Sequence, residues 1–384
     1  MQNNFSDLPP VRGTAGRKSY KVKKPHFSIP KRIFAGIGKA LLLIITLAVM
    51  LLTTVLLSLK LICSDAFPSA QRMFVTTILE TGQLKFLASV FLSSDKIQAI
   101  VDSNSMSTLE GEVDSALIHI GGSGSIGVPG GDSDETAGED IEVHPVSGST
   151  YYGTMLIVKD PSRVSLATIY PWREEGITLD SLVKGAGAVG GINGGLYDST
   201  SNTGGKPFGV VVSDGEIQFN DPTAFPGLVL IGFTEDDILE IIDIDGMSAK
   251  SVEKLILDRR IRDAVTFQEE SSDSNNHFVQ LILNGEAREM NGMGSGLNPR
   301  TAIGQREDGA VLMFVTDGRG KSGHLGASAA DLINVMTEFG AVNAANLDGG
   351  SSSCMYYGGE YLMTSVTFYY TNSSWKLPTG FVIK

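Results

Sequence analysis

The sequence predicts an α+β domain on a mixed sheet with one parallel βαβ crossover, preceded by a single transmembrane helix and a helical stem. Three observations carry this reading. Residues 40–59 are an uncharged apolar run, residues 121–149 are rich in glycine and acid without a single base, and after residue 150 short apolar runs alternate with turn dipeptides. At 384 residues the chain exceeds one average domain. Hydrophobic residues at 42% and charged residues at 19% exclude a disordered or coiled-coil chain. Two cysteines exclude a disulfide-stapled scaffold, and no Cys/His spacing forms a structural zinc motif. The net charge of −13 argues against a nucleic-acid partner, but it is unevenly divided: residues 1–39 carry +8 and the remainder −21.

That split marks a membrane boundary. Residues 1–39 hold Arg12, Arg17, Lys18, Lys21, Lys23, Lys24, Lys31, Arg32 and Lys39, a basic tail that the positive-inside rule keeps cytoplasmic. The run from Ala40 to Leu59 spans roughly 30 Å as a helix, the thickness of a bilayer core. A buried core helix would show a polar face, and this run has only Thr46, Thr53, Thr54 and Ser58. A cleaved signal has a shorter apolar stretch and no such basic leader. The expectation is a retained span over 40–62 with everything beyond it outside the cell membrane.

Residues 63–120 are read as an extracytoplasmic stem. Apolar residues at helical spacing (Met73, Ile78, Leu79, then Leu84, Leu87, Phe91) are interrupted at Thr81-Gly82, and neither half spans a bilayer. The halves could pack together, oligomerise or lie among headgroups, and the oligomeric state is left open. Residues 121–149 contain eight glycines and six acids, which predicts a solvated flexible linker.

Residues 150–384 form the folded domain. Strands are expected near 153–158, 163–169, 188–192, 208–213, 228–232, 263–267, 278–283, 299–304, 311–316, 342–347 and 379–383, with hairpin turns at Asp214-Gly215 and Asn284-Gly285. Helices are expected at 178–185, 248–258 and 328–339, the last opened by Ser328 with Asp331 in a capping box and closed by Gly340. Strand 311–316, this helix and strand 342–347 predict a crossover with parallel strands. Asp317-Gly318-Arg319 and Asp348-Gly349-Gly350 would then emerge at one sheet edge, where α/β ligand sites gather. Upstream, a helix and strand deliver Asn193-Gly194-Gly195 and Asp198 in the same layout.

Asp-Gly and Asn-Gly pairs are also common turns, so each of these alone is weak; three together point to a site. Arg300, in Asn298-Pro299-Arg300-Thr301, and Arg319 suit bidentate recognition of phosphate or carboxylate, although either alone is more simply a salt bridge.

These segments resemble the phosphodiester glycosidase family. The matching stretches are KDPSRV (159–164), INGGLYD (192–198), KPFGVVVSDGEI (206–217), NPRTAIG (298–304), VTDGRG (315–320) and NLDGGSSS (346–353), in family order over about three-fifths of the chain. The family's animal member removes N-acetylglucosamine from a phosphodiester, and bacterial members are often described as exopolysaccharide-related. Two departures stand out: Leu196-Tyr197 occupies the place of an expected phenylalanine pair, and the amino-terminal anchor and stem have no counterpart in the animal enzyme. The resemblance implies hydrolysis of a sugar-1-phosphodiester in a cell-surface glycan, needing no cofactor.

Asp317 and Asp348 are then the candidate carboxylates for an oxocarbenium-like transition state, with Arg300 and Arg319 on the phosphate. Asn193, Gly194, Gly195, Asp198, Gly349, Gly350, Ser351 and Ser352 would line the substrate. His324 is either an acid or, more plainly, a surface histidine. Two alternatives remain: a phosphodiesterase using Mg or Ca on Asp317, Asp348 and Asp198, and a non-catalytic glycan-binding module of the cell envelope.

Overall fold

The computed structural model describes residues 31–81, 84–121, 140–366 and 372–384, with side chains of the first helix from 36 onward. The chain divides into two compact units, 1–58 and 59–384. In the first, the described residues are one helix, part of Lys31–Ile62; the stretch Gly36–Ile62 contains an 18-residue window with a mean hydropathy of 2.8 and is long and apolar enough to cross a membrane.

The second unit is built from three large antiparallel sheets around one core, with a two-stranded ribbon of Glu270–Ser271 and Asn276–His277 beside them. The largest runs, in spatial order, Ile141–Ser147, Tyr152–Val158, Val311–Thr316, Thr301–Arg306, Ala341–Asn346, Gln280–Leu283 and Glu286–Ala287. The second runs Glu360–Met363, Met355–Tyr357, Gly190–Asn193, Thr379–Ile383 and Val164–Thr168. The third runs Glu216–Asp221, Gly209–Ser213, Ile261–Gln268, Leu228–Thr234 and Leu239–Asp243. Strand alternation explains the layering. In Val311–Thr316, Val311, Met313 and Val315 enter the central core, where they meet Phe381 and Ile192 of the second sheet and Ile231 and Phe233 of the third. Leu312 and Phe314 point the other way, onto Leu332, Val335 and Met336 of the helix Ala329–Glu338. Helix Leu179–Gly185 covers the outer face of the second sheet, and Ala249–Asp258 that of the third.

The expected parallel crossover is not supported. The helix Ala329–Glu338 does join Val311–Thr316 to Ala341–Asn346, but Thr301–Arg306 lies between them and pairs antiparallel with both, Ala302 opposite Phe314 on one side and Asn346 on the other. All strand pairings among the described residues are antiparallel, so the sheet is not mixed either. The misreading has a physical cause. These strands are buried on both faces, so they read as continuous apolar runs, the signature usually left by parallel sheets. Because the two flanking strands share an antiparallel neighbour, they still run in one direction and end at one edge.

The residues 63–120 fold back on the domain. Helices Pro68–Leu79, Phe86–Phe91 and Ser94–Asp102 bury Val75, Leu79, Ala88, Ile97 and Val101 against one another. Beyond them Leu109, Val113 and Ile118 pack on Ile238 and Leu283. Leu297 N donates to Thr77 Oγ1 at 3.1 Å, and Ser107 N donates to Glu289 O at 2.8 Å. Residues 122–139 of the expected linker lie outside the described residues, but its last part is ordered: Ile141–Ser147 is an edge strand in register with Tyr152–Val158. Pro145 is tolerated there because an edge strand has a side that needs no N–H donor. The expected turns form as written, with φ of 52° and 73° at Asp214-Gly215 and 53° and 80° at Asn284-Gly285. Ser328 and Asp331 form the capping box.

Candidate functional site

The strand-end residues converge at the edge where Val311–Thr316 and Ala341–Asn346 finish and Thr301–Arg306 begins. Thr301 pairs with Val315, and Leu347 N donates to Thr301 O at 2.8 Å. Two strand spacings therefore separate the two outer backbones, roughly 10 Å.

Asp348 is the best-placed carboxylate. It is half-buried, and the Ser352 hydroxyl and the Gly349 amide stand beside its carboxylate and favour the charged form. Burial dominates nonetheless and pushes its pKa up to about 7, against the lowering effect of those two groups and of Arg319. Ser352 Oγ also lies 2.9 Å from Tyr197 Oη. A serine has one proton to give. With that proton on Asp348, Tyr197 must donate to Ser352, so a chain runs from the tyrosine through the serine to the carboxylate. Tyr197 was visible in the sequence only as a departure from the family pattern, and its hydroxyl is what a phenylalanine would lack.

Arg319 stands across the Gly349–Ser352 turn. Its Nη1 donates to Ser351 Oγ at 2.7 Å and to Val366 O at 3.4 Å, and it is exposed to solvent. Its φ is +52°, a left-handed conformation costing about 1–2 kcal/mol in a residue with a Cβ. Crowding by protein atoms and the charge of Arg300 lower its pKa to about 10, while Asp348 and Glu80 act in the opposite direction. It remains a cation at neutral pH. Gly350, at φ +62°, passes so close that a Cβ there would stand 2.5 Å from Arg319 Nη2. The positive φ is what favours glycine there, since a Cβ would meet only the movable end of the Arg319 side chain.

Asp317 and His324 form a pair. Asp317 is 4% exposed; Oδ1 accepts from Tyr152 N at 2.8 Å and Oδ2 lies 2.7 Å from His324 Nδ1. His324 is therefore held by a carboxylate rather than free on the surface. Lys321 is close by, donating to Thr364 Oγ1 at 2.7 Å, with burial lowering its pKa and Asp317 opposing that. Asp317 does not figure among the groups that shift Asp348. The two aspartates share an edge, and burial rather than mutual repulsion perturbs Asp348.

Other expected site residues have different roles. Asn193 is 1% exposed and held on both ends of its amide: Nδ2 donates to Asp348 O at 2.6 Å, and Oδ1 accepts from Thr301 Oγ1 and Cys354 N. It fixes the Asp348 loop, and one N–H of its Nδ2 is left over. Gly194 and Gly195 are packing positions, where a Cβ would come within 2.4 Å of Thr379 Oγ1 and 2.5 Å of Thr266 O. Asp198 turns back on Thr200 N at 3.0 Å. It does not join Asp317 and Asp348, and among the described residues no group of three His, Cys, Asp or Glu is placed to hold a metal ion.

Arg300 is the largest surprise. It is 5% exposed and ion-paired with Glu80, which follows the helix Pro68–Leu79. It also donates to Ala327 O, Ser295 Oγ and Gly296 O, and its guanidinium stacks 4.8 Å from the Phe278 ring centre. Its charge is already satisfied by protein, and no local signal around Glu80 announced a partner 220 residues away.

The structure thus places a half-buried carboxylate and an exposed guanidinium beside one glycine-serine turn. The family follows from the sequence that builds it. A model of the phosphodiester glycosidases matches residues 186–384, just over half of the chain, and the chain belongs to that family. A stretch of 65 residues is 40% identical to the SPbeta prophage-derived uncharacterized protein YomE of Bacillus subtilis (strain 168), covering 17% of this chain and 10% of that protein. The match thus spans about a tenth of the length of that curated relative. Among solved structures, the zebrafish N-acetylglucosamine-1-phosphodiester alpha-N-acetylglucosaminidase catalytic domain, auto-inhibited by its pro-peptide, aligns with a TM-score of 0.49 at 17% identity, over 65% of this chain and 85% of that one. A protein of Burkholderia pseudomallei K96243 described as exported aligns with a TM-score of 0.37 at 14% identity, over 61% and 74% of the two chains.

Proposed function

We propose that the protein hydrolyses a sugar-1-phosphodiester, breaking the C1–O bond to give free sugar and a phosphomonoester. The observation that carries this is the pairing of Asp348 and Arg319 across the Gly349–Ser352 turn, inside the region that the family model matches. Arg319 holds the phosphate and takes up the charge that develops on the departing oxygen. A phosphate leaving group is acidic, so this matters more than protonating it. Asp348, with a pKa of about 7, is well matched to accept a proton from water attacking C1 at neutral pH. His324, oriented through Nδ1 by Asp317, is the second proton-transfer group.

The substrate is assigned to a cell-surface glycan or glycoconjugate, with the chain anchored through residues 40–62 and the catalytic unit outside the membrane. The asymmetry of the basic leader supports that orientation. No cofactor enters this scheme.

The test is hydrolysis of a panel of alkyl diesters of α- and β-sugar-1-phosphates by the full chain in detergent, run in ¹⁸O-water. Label in the sugar is the expected result, since water then attacks carbon. Label in the phosphate, with sugar-1-phosphate released, would mean a phosphodiesterase instead. No turnover with purified, folded protein would favour a binding module.

A further inference from the structure

The feature that the proposed chemistry does not use is the buried Glu80 carboxylate. Its side chain is 2% exposed and held mainly by one short segment, with one longer contact from Asn276 Nδ2 at 3.5 Å. Oε1 accepts from Gly296 N at 2.8 Å, and Oε2 accepts from Asn298 Nδ2 at 2.7 Å and from Arg300 Nη2. That segment supports both loops of the site. Pro299 O accepts from Gly350 N at 2.7 Å, and the position a Cβ of Gly349 would take lies 4.0 Å from Arg300 Cα and Cδ. On its other side, Asn298 and Ala327 exchange backbone hydrogen bonds at 3.2 and 2.9 Å, anchoring the loop that bears His324. Arg300 Nε ties to Ala327 O as well.

We propose that Glu80 is a positioning residue of the site: its carboxylate fixes residues 296–300, and through them sets the Gly349–Gly350 turn against Arg319 and the 324–327 loop against Asp317. It also neutralises Arg300, leaving Arg319 as the one guanidinium of this pair with charge to offer an anion. The residues 63–120 are in this view part of the catalytic unit and not a spacer. The proposal deepens the reading of the Asp348–Arg319 site and rests on it.

The test is calorimetric titration of the full chain in detergent with inorganic phosphate, alongside turnover. Phosphate should bind, and Arg319→Ala should abolish that binding. Glu80→Gln, measured below its lowered Tm, should weaken phosphate by on the order of tenfold or more and reduce kcat comparably, because misplacing such a group by ~1 Å is costly. Glu80→Asp keeps the charge one methylene short and should lie between the two; it serves alone if Glu80→Gln does not fold. Val252→Ala, a fully buried truncation under the third sheet, should lower Tm while leaving phosphate affinity unchanged. Wild-type phosphate affinity in both Glu80 variants would reduce Glu80 to a structural role and overturn the proposal. So would tighter phosphate binding or faster turnover, which would make the carboxylate an occupant of the anion site. Absence of Arg319-dependent phosphate binding in the unmodified protein would overturn it too. Phosphate binding without any turnover would remove the hydrolase reading alone, and the titration would still decide the role of Glu80.

Discussion

Asp348→Asn should stabilise the protein at alkaline pH while abolishing its activity. The folded pKa is about 7 against 3.8 for the ordinary carboxyl. Three units at about 1.4 kcal/mol each put the cost of ionising this residue in the native state at ~4 kcal/mol. The sign follows from proton binding. Between pH 4 and 7 the native state holds a proton that the unfolded chain has released, so stability falls as pH rises through that window and levels off above it. Asparagine carries no charge and escapes the penalty, but it also strips Arg319 of its counter-charge and weakens the bond from Ser352. If these losses cancel half of the gain, about 2 kcal/mol remains, or ~3 °C in Tm for a unit of this size. Thermal melts of the full chain in detergent at pH 5 and pH 8 would measure it. The variant should match wild type at pH 5 and exceed it at pH 8, with turnover lost at both. Equal differences at the two pH values, or a variant less stable at pH 8, would return Asp348 to the ordinary carboxylate range and remove the base from the mechanism.

The two arginines should separate cleanly in mutagenesis. Arg319→Ala should keep the fold and lose roughly 30- to 1,000-fold in kcat/KM, with Lys a poor substitute for the fork; Arg300→Ala should chiefly lower stability, by about 3–5 kcal/mol, since it strands the buried Glu80 carboxylate. Near-wild-type turnover in Arg319→Ala would take the phosphate contact away from it. Tyr197→Phe should fold normally and move the acid limb of the kcat profile up by a few tenths of a pH unit, because Ser352 becomes a weaker donor once nothing donates to it; a limb that stays in place would break the Tyr197–Ser352–Asp348 chain. A protease site inserted between residues 122 and 139, once cut, should leave the two fragments bound together in gel filtration, held by the packing of 63–120. Release of a free carboxy-terminal fragment would contradict that docking. Added to intact cells, the same protease should reach the site; full protection would reverse the proposed topology.

Much of the fold was legible because its strands obey simple local rules. Each of the eleven expected strands coincides with an observed one to within two or three residues, and the three helices do likewise. Two of the strands that escaped notice lie where the local rule fails. Ile141–Ser147 hides behind acids and glycines, and only alternate residues are turned inward. Glu216–Asp221 is half-buried along its length and carries only two apolar side chains. Strand order is a different kind of information. Thr301–Arg306 precedes the helix-linked pair in the chain yet inserts between its members, and no spacing in the sequence reports a pairing chosen by packing on both faces.

The site shows the same division between local and distant causes. Asp348, Gly349, Gly350, Ser351 and Ser352 were readable because one turn carries its own chemistry and its own glycines. Arg300 and Arg319 looked alike for the same reason: each is an arginine in a polar motif at a strand end. What separates them is a carboxylate from another part of the chain. Glu80 pairs with Arg300 and leaves Arg319 to the solvent side, so one guanidinium serves the scaffold and the other is exposed. The energetics favour that arrangement. Two unpaired guanidinium groups beside one turn would repel, and burying either without an anion costs several kcal/mol. Supplying a permanent carboxylate to the deeper one lets the protein keep a cation at the rim that is strained, exposed and free of any salt bridge of its own among the described residues. Those are the properties a phosphate-binding residue needs, and they can persist only because the residue behind it has been neutralised.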